Sequence, residues 1–214
     1  MLNIKTFCCN MLQENTYVVS DETGDCVVID CGAYYDSERR AVVDYIRQQQ
    51  LTPRHVLCTH GHFDHYFGND TLQETFGLLP ELHRDDEFLA RDLTEQAARM
   101  FGMPYDRPTP PIGRFLSGGD IISFGNHRLT VLHTPGHSPG GVCFYCEEEK
   151  TIFTGDTLFR MSIGRTDFEG SSWQSMLQSL RTVIAPLPDD VTAYCGHGPR
   201  TTIGEEKQFN PYLR

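Results

Sequence analysis

The sequence predicts an α/β fold in four layers, an αββα sandwich of two β-sheets packed together with helices outside. Three observations predict it. Short apolar, strand-like runs cluster toward both ends of the chain. Segments with helical apolar spacing follow each cluster. Metal-capable residues recur just after strand-like runs, so one edge of the two sheets can gather them. Apolar pattern alone does not separate this arrangement from other α/β folds; the motifs do.

Strand-like runs open the chain at residues 4–9, 16–20 and 26–30, with a Thr23-Gly24-Asp25 turn between the second and third. Residues 36–50 read as a helix, with Ala41, Val42, Tyr45 and Ile46 on one stripe. A short strand over 54–58 runs into a ligand-rich loop from Thr59 to His65. A helix over 66–76, a strand over 78–82 and a second long helix over 85–100 follow; the last spaces Phe88, Leu89, Leu93 and Ala97 helically. The Pro-rich stretch 102–111 is too short and too apolar for a domain linker and reads as a lid or a wrap over the surface. Strands return at 120–124, 128–132, 141–146 and 151–154. A helix over 173–184, a strand over 191–195 and a short helix over 202–208 complete the chain.

A chain of 214 residues suits one domain over residues 1–214, large enough to bury about 70% of its unfolded surface without staples. The formal net charge of -11 repels phosphate backbones, which argues against nucleic acid as a partner. No apolar run reaches the length of a membrane span, and the start carries no secretory pattern. Eight cysteines raise a disulfide framework, but most sit in strand-like apolar runs, where free cysteine behaves as a small hydrophobe. Cys143 and Cys146 lie three apart on a strand and so face opposite ways, which is unsuited to one metal. The cytoplasm is the expected compartment.

The densest chemistry is Thr59-His60-Gly61-His62-Phe63-Asp64-His65. Neutral imidazole and carboxylate suit zinc, iron or manganese. Two apart in an extended loop, His60 and His62 point the same way and can grip one ion. Asp64 and His65 follow a turn and can reach a second. Gly61 is expected to let the loop bend where a side chain would crowd the metals. Three further motifs repeat one design, a strand, then glycine, then a ligand: Thr134-Pro135-Gly136-His137, Thr154-Gly155-Asp156 and Cys195-Gly196-His197. Each alone reads as a turn. Together they predict a metal site.

The pattern H-x-H-x-D-H, a distant histidine, an aspartate and a last histidine resembles the binuclear branch of the metallo-β-lactamase superfamily, over nearly the whole chain. The resemblance implies that His60, His62 and His137 hold a first divalent metal, that Asp64, His65 and His197 hold a second, and that Asp156 bridges them. Zinc is the expected metal, with iron or manganese as alternatives. Asp30 looks like the family's buried acid beside the ligands, or is a turn-forming strand terminator. The segments Gly164-Arg165-Thr166-Asp167 and Gly196-His197-Gly198-Pro199 narrow the resemblance to short glyoxalase-II-like proteins, relatives of hydroxyacylglutathione hydrolase. With Arg214 as the last residue, the C-terminal helical region with which longer members hold glutathione is not expected.

The implied reaction is hydrolysis of S-D-lactoylglutathione or a similar small-molecule thioester by a hydroxide shared between the ions, with Asp64 catalytic in orienting it. Arg165 either meets an anionic substrate group or braces a loop through a buried pair with Asp167; the brace is favoured. Tyr105, Arg107 and Arg114 are candidates for substrate contact, against a plain loop role. One alternative is a persulfide dioxygenase using a single iron on His60, His137 and Asp156. Its relatives carry an Ala-His-Asp-like last motif, whereas the Gly-His-Gly-Pro here fits the hydrolases. A nuclease or a non-catalytic metal-binding protein ranks lower.

Overall fold

A computed structural model describes residues 1–91, 93–102 and 105–213, with Met100 and Phe101 described in backbone only. Two six-stranded sheets carry the fold. The first runs in the order β1 (Asn3–Cys9), β2 (Glu14–Ser20), β3 (Asp25–Ile29), β4 (Thr52–Leu57), β5 (Pro80–His83) and β6 (Arg114–Leu116). β1 to β3 are antiparallel, and β3 to β6 are parallel. The second contains β7 (Ile121–Phe124), β8 (His127–His133), β9 (Val142–Cys146), β10 (Thr151–Gly155), β11 (Thr192–Cys195) and β12 (Thr201–Thr202), arranged from β12 to β7. Only β10 and β11 pair in parallel there.

Alternation along the strands builds the layers. In the first sheet Val19, Val27, Ile29 and Leu57 face inward and meet Leu129, Val131, Phe144 and Phe153 of the second. Each such side chain contributes about 1.5–3 kcal/mol on burial. On the outer face, Val18, Cys26, Val28 and Val56 pack under Val42 and Ile46 of α1 (Asp36–Gln48) and Leu72 of α2 (Asn69–Phe76). The second sheet's outer residues Cys143, Ile152 and Ala193 pack under Met176, Leu180 and Ile203. The four-layer expectation therefore holds. Cys143 and Cys146 fall into cores on opposite faces of β9, and all eight cysteines are free thiols.

Several local expectations need correction. On α1 the buried stripe is Val42, Val43 and Ile46, while Ala41 is exposed. The helix expected from residue 66 begins at Asn69, because Phe63–His65 forms a separate 3₁₀ turn. The helix over 85–100 is described as a 3₁₀ turn (Arg84–Asp86), then α3 (Glu87–Arg91) and α4 (Leu93–Phe101), with Asp92 outside the described residues. The helix over 173–184 is α5 (Trp173–Ser179), running into a π turn over Leu180–Ile184. The final helix, α6, spans Ile203–Phe209. β6 and β12, three and two residues long, carry too little pattern to be read from sequence.

Met103 and Pro104 of the Pro-rich stretch lie outside the described residues. The described part wraps the surface rather than covering the ligand cluster. Tyr105 is buried, its hydroxyl donating to the Phe67 carbonyl at 2.8 Å. Arg107 ion-pairs with Asp36 and Asp70. Among the described residues no helix is long and apolar enough to cross a membrane.

Candidate metal centre

The C-terminal ends of β3, β4, β8, β10 and β11 converge on one edge of the sandwich and deliver Asp30, His60, His137, Asp156 and His197. Backbone bonds lock the two sheets together there. Val142 N–H donates to Thr59 O at 2.8 Å, and Asn15 N–H donates to Gly196 O at 2.7 Å.

The seven residues form two groups. His60, His62 and His137 bring their ligand atoms together, and so do Asp64, His65 and His197. Asp156 stands between. Its Oδ2 lies 3.3 Å from His137 Nε2, and its Oδ1 lies 3.3 Å from His65 Nε2 and 3.7 Å from His197 Nε2. One carboxylate thus offers one oxygen to each group.

The partners of the histidines assign their protons, since a carbonyl or carboxylate oxygen only accepts. Asp30 Oδ2 takes His65 Nδ1–H at 3.0 Å, the Arg165 carbonyl takes His137 Nδ1–H at 2.8 Å, and the Leu12 carbonyl takes His197 Nδ1–H at 3.1 Å. The Thr59 hydroxyl donates to Asp30 and so can accept from His60 Nδ1–H. Four rings therefore turn Nε2 inward, free of any outward partner. His62 turns Nδ1 inward instead, 2.9 Å from His137 Nε2.

This donor set fits a metal. His65 Nε2 and His197 Nε2 face each other at 3.2 Å among the Asp64 and Asp156 oxygens, a gathering of ligand atoms that a shared cation satisfies. His60 Nε2 and Asp156 Oδ1 are buried without a hydrogen-bond partner among the described residues. Burial pushes the His60 ring well below its ordinary range and the His62 ring down to about 3, which keeps both neutral, as a ligand must be. Burial alone would raise the Asp156 carboxyl, but His65 and His137 hold it well below the usual carboxylate range. Burial likewise opposes charge on His65 and His197; Asp156 and Asp64 on the first, and Asp64 then Asp156 on the second, override it and raise both.

Supporting residues fix the ligands in place. Asp30 sits at φ 51°, a conformation aspartate tolerates better than most residues, and this aims both its oxygens inward. Thr59 N–H and Oγ1–H donate to those oxygens at 2.7 and 2.6 Å. Asp30 is therefore a support for the His65 ring and for the ligand loop, not a simple strand terminator. Gly196 allows a close approach to the ligands themselves: a Cβ there would stand 2.4 Å from Asp156 Oδ1 and 2.8 Å from His65 Cε1. Gly61 is needed for a different reason than expected. A Cβ there would meet Asp86 O at 2.7 Å and Leu89 Cβ at 2.9 Å, so the constraint is helix packing rather than crowding of the metals.

Sequence reasoning missed Asp86. It reads as an ordinary acid at a helix start, yet it is fully buried and accepts from Gly61 N–H, Ser138 Oγ–H and Gly140 N–H. It joins the His60–His62 loop to the His137 loop. Asn10 was missed too; its side-chain amide donates to the carbonyls of Gly32 and Asp64 at 2.9 Å. The Leu12 and Arg165 carbonyls leave no trace in sequence, because any residue supplies one.

The remaining candidates fall as follows. Arg165 and Asp167 pair through two contacts of 2.6 Å, but the pair is exposed, at 60% and 63%, and not buried as expected. Arg165 lines the cleft above the cluster; Tyr105 does not line it and serves packing. Arg114 lies in β6, paired with Glu81 and Asp120, also away from the cleft. That cleft has a volume of about 640 Å³, with His62, Asp64, His137, Asp156 and His197 on its floor.

Sandwich and cluster together define a metal-binding protein of the αββα type. The chain belongs to the metallo-beta-lactamase superfamily, whose family profile matches residues 9–197. It is 36% identical over 213 residues to the hydroxyacylglutathione hydrolase GloC of Haemophilus influenzae, covering 99% of this chain and 98% of that protein. Among solved structures it resembles the BLEG-1 B3 metallo-beta-lactamase at a TM-score of 0.90, with 35% identity over 100% of this chain and 99% of that one. It also resembles TTHA1623, solved in a di-iron-bound form, at a TM-score of 0.86, with 37% identity over 98% of this chain and 100% of that one.

Proposed function

We propose that this protein is a binuclear metallohydrolase of glyoxalase II type that hydrolyses S-D-lactoylglutathione or a similar acyl-thiol, the whole chain acting as one domain. The observation that carries the reading is the division of Asp156 between two ligand groups, one oxygen toward each. A bridging carboxylate is what a two-metal site requires, and the relative in a di-iron form supports that count. The GloC relative, alike over its whole length, supports the thioester substrate.

In this reading His60, His62 and His137 hold one divalent ion, Asp64, His65 and His197 hold the other, and Asp156 holds both. Bound ions would supply a water acidified toward neutrality and polarisation of the substrate carbonyl. The chain's own groups do the rest. Burial works against charge on Asp64, yet His65 and His197 hold its carboxyl below the usual range, so it is ionised and can accept a hydrogen bond from the attacking water. The acyl carbon gains a C–O bond and loses its C–S bond, and the released proton ends on the thiolate. A thiolate is a good enough leaving group that no dedicated acid is needed. The Leu12, Arg165 and Asp30 oxygens keep the imidazoles from turning during turnover.

Metal analysis of the purified protein beside a thioester assay tests this. The expected result is about two metals per chain with stoichiometric thiol release from S-D-lactoylglutathione. One iron per chain, with oxygen uptake on glutathione persulfide and no thiol release, would overturn it in favour of a dioxygenase.

A further inference from the structure

We infer that the cleft above the cluster selects thioesters carrying an extended apolar group, so that D-lactoyl is a small member of the range it accepts. The inference rests on the thioester-hydrolase reading. Two aromatic rings flank the cluster, one beside each ligand group. Phe168 meets His62 and His137 edge-on, at centroid distances of 5.0 and 5.7 Å. Phe159 meets His197 edge-on at 5.9 Å. Leu89 and Ile163 extend the apolar wall.

Two rim residues point the same way. Leu12 is 37% exposed and Phe88 is 42% exposed, and both line the cleft. Large apolar side chains left in water at the mouth of a site gain free energy when a ligand covers them. Phe88 is also two residues from the Asp86 that fixes both ligand loops, so it is held on the same rigid support.

Charge on the cleft argues against an anion as the main handle. Arg165 is bound by both Asp167 oxygens and lies over the Phe168 ring at 4.5 Å. Arg99 pairs with Glu95 one helical turn away, and Glu169 adds a carboxylate to the lining. Both cations are thus already countered by carboxylates. The two carboxylates of a glutathione thioester find no uncountered side-chain cation here among the described residues, whereas an alkyl or aryl group finds walls on two sides.

The test uses metal-loaded protein and two substrate series. One keeps glutathione and varies the acyl group from D-lactoyl to hexanoyl and phenylacetyl. The other keeps D-lactoyl and replaces glutathione by phenylmethanethiol. The expected kcat/KM rises about threefold for each methylene that reaches the wall, giving a gain of about tenfold or more over S-D-lactoylglutathione in at least one series. Phe88→Ala and Phe168→Ala erase that gain. A readout independent of turnover is calorimetric binding of hexanoate against D-lactate to chelator-stripped protein, with hexanoate tighter. Equal kcat/KM across both series, with lactoylglutathione hydrolysed, would overturn the inference and leave the hydrolase reading standing. No thiol release from any thioester at full metal occupancy would remove both.

Discussion

Asp30 holds His65 from behind: the carboxylate Oδ2 lies 3.0 Å from the imidazole Nδ1, and the same carboxylate takes both donors of Thr59, the residue before His60. One side chain thus orients a ring in one ligand group and the backbone leading to the other. Asp30→Ala is expected to weaken metal binding at the Asp64–His65–His197 group by about 10- to 100-fold, the usual effect of losing such a support. Calorimetric titration of chelator-stripped protein measures it. Asp30→Asn, which keeps one acceptor, should fall between.

Asp156→Ala removes the carboxylate shared by the two groups. The expected outcome is fewer than two metals per chain by elemental analysis, and a loss of thiol release of roughly 100-fold or more, since the two-metal arrangement fails. Retention of two metals with unchanged turnover would show that Asp156 does not bridge.

Asp86→Ala is expected to lower both stability and metal affinity. It strands three donors, from Gly61, Ser138 and Gly140, in a buried place. Each unsatisfied donor costs about 1–3 kcal/mol, partly relieved by relaxation. Urea denaturation of the stripped protein isolates the folding part of the effect. Asp86→Asn keeps an acceptor and should be milder on both measures.

His127 gives a pH signature remote from the ligands. It lies at the start of β8 between Asp21 and Glu149, 3.0 Å from each, and so ties the β2–β3 turn to the β9–β10 turn. Burial alone would lower its ring, but the hydrogen bonds it donates to these two carboxylates raise it above the ordinary 6.5. A raised folded value means that the charged ring contributes stability in full below the unfolded pKa and loses it as pH rises through the folded one. The melting temperature should therefore fall between about pH 6 and pH 9 by more in the parent than in His127→Gln. Equal falls would mean that the ring carries no charge in the folded protein.

Chelation should destabilise the fold. Removing the ions leaves His65 and His197 Nε2 facing at 3.2 Å among buried carboxylates, a cluster that must then take up protons in place of the metals. Ligand present at a thousand times its Kd adds about 4 kcal/mol, so calorimetric scans with and without chelator should differ by several degrees or more.

The ligand set was legible because metal chemistry restricts residue type. Few reasons other than a metal place three histidines and an aspartate within six positions, and the strand-glycine-ligand motifs fixed where the others emerge. The core was legible where alternation was strong, as in Val27 and Ile29 against Cys26 and Val28. Tyr105 misled because a tyrosine in a Pro-rich loop gives no sign of which face it packs on; the fold turned it onto Phe67. Arg165 and Asp167 paired as their spacing suggested, but sequence carries no measure of depth, and the pair is exposed.

By itself the sequence indicated which residues carry metal-binding chemistry, the order of the longer strands and helices, and the family. Each of these depends on residue type and short-range spacing, which the chain carries locally. Only the tertiary structure decided which ring nitrogen faces the cluster, that Asp156 gives one oxygen to each group, and that Asp86 fastens two loops whose His62 and His137 are 75 residues apart in the chain. Those depend on where distant strand ends meet, and on backbone carbonyls at Leu12 and Arg165 that every residue type supplies alike.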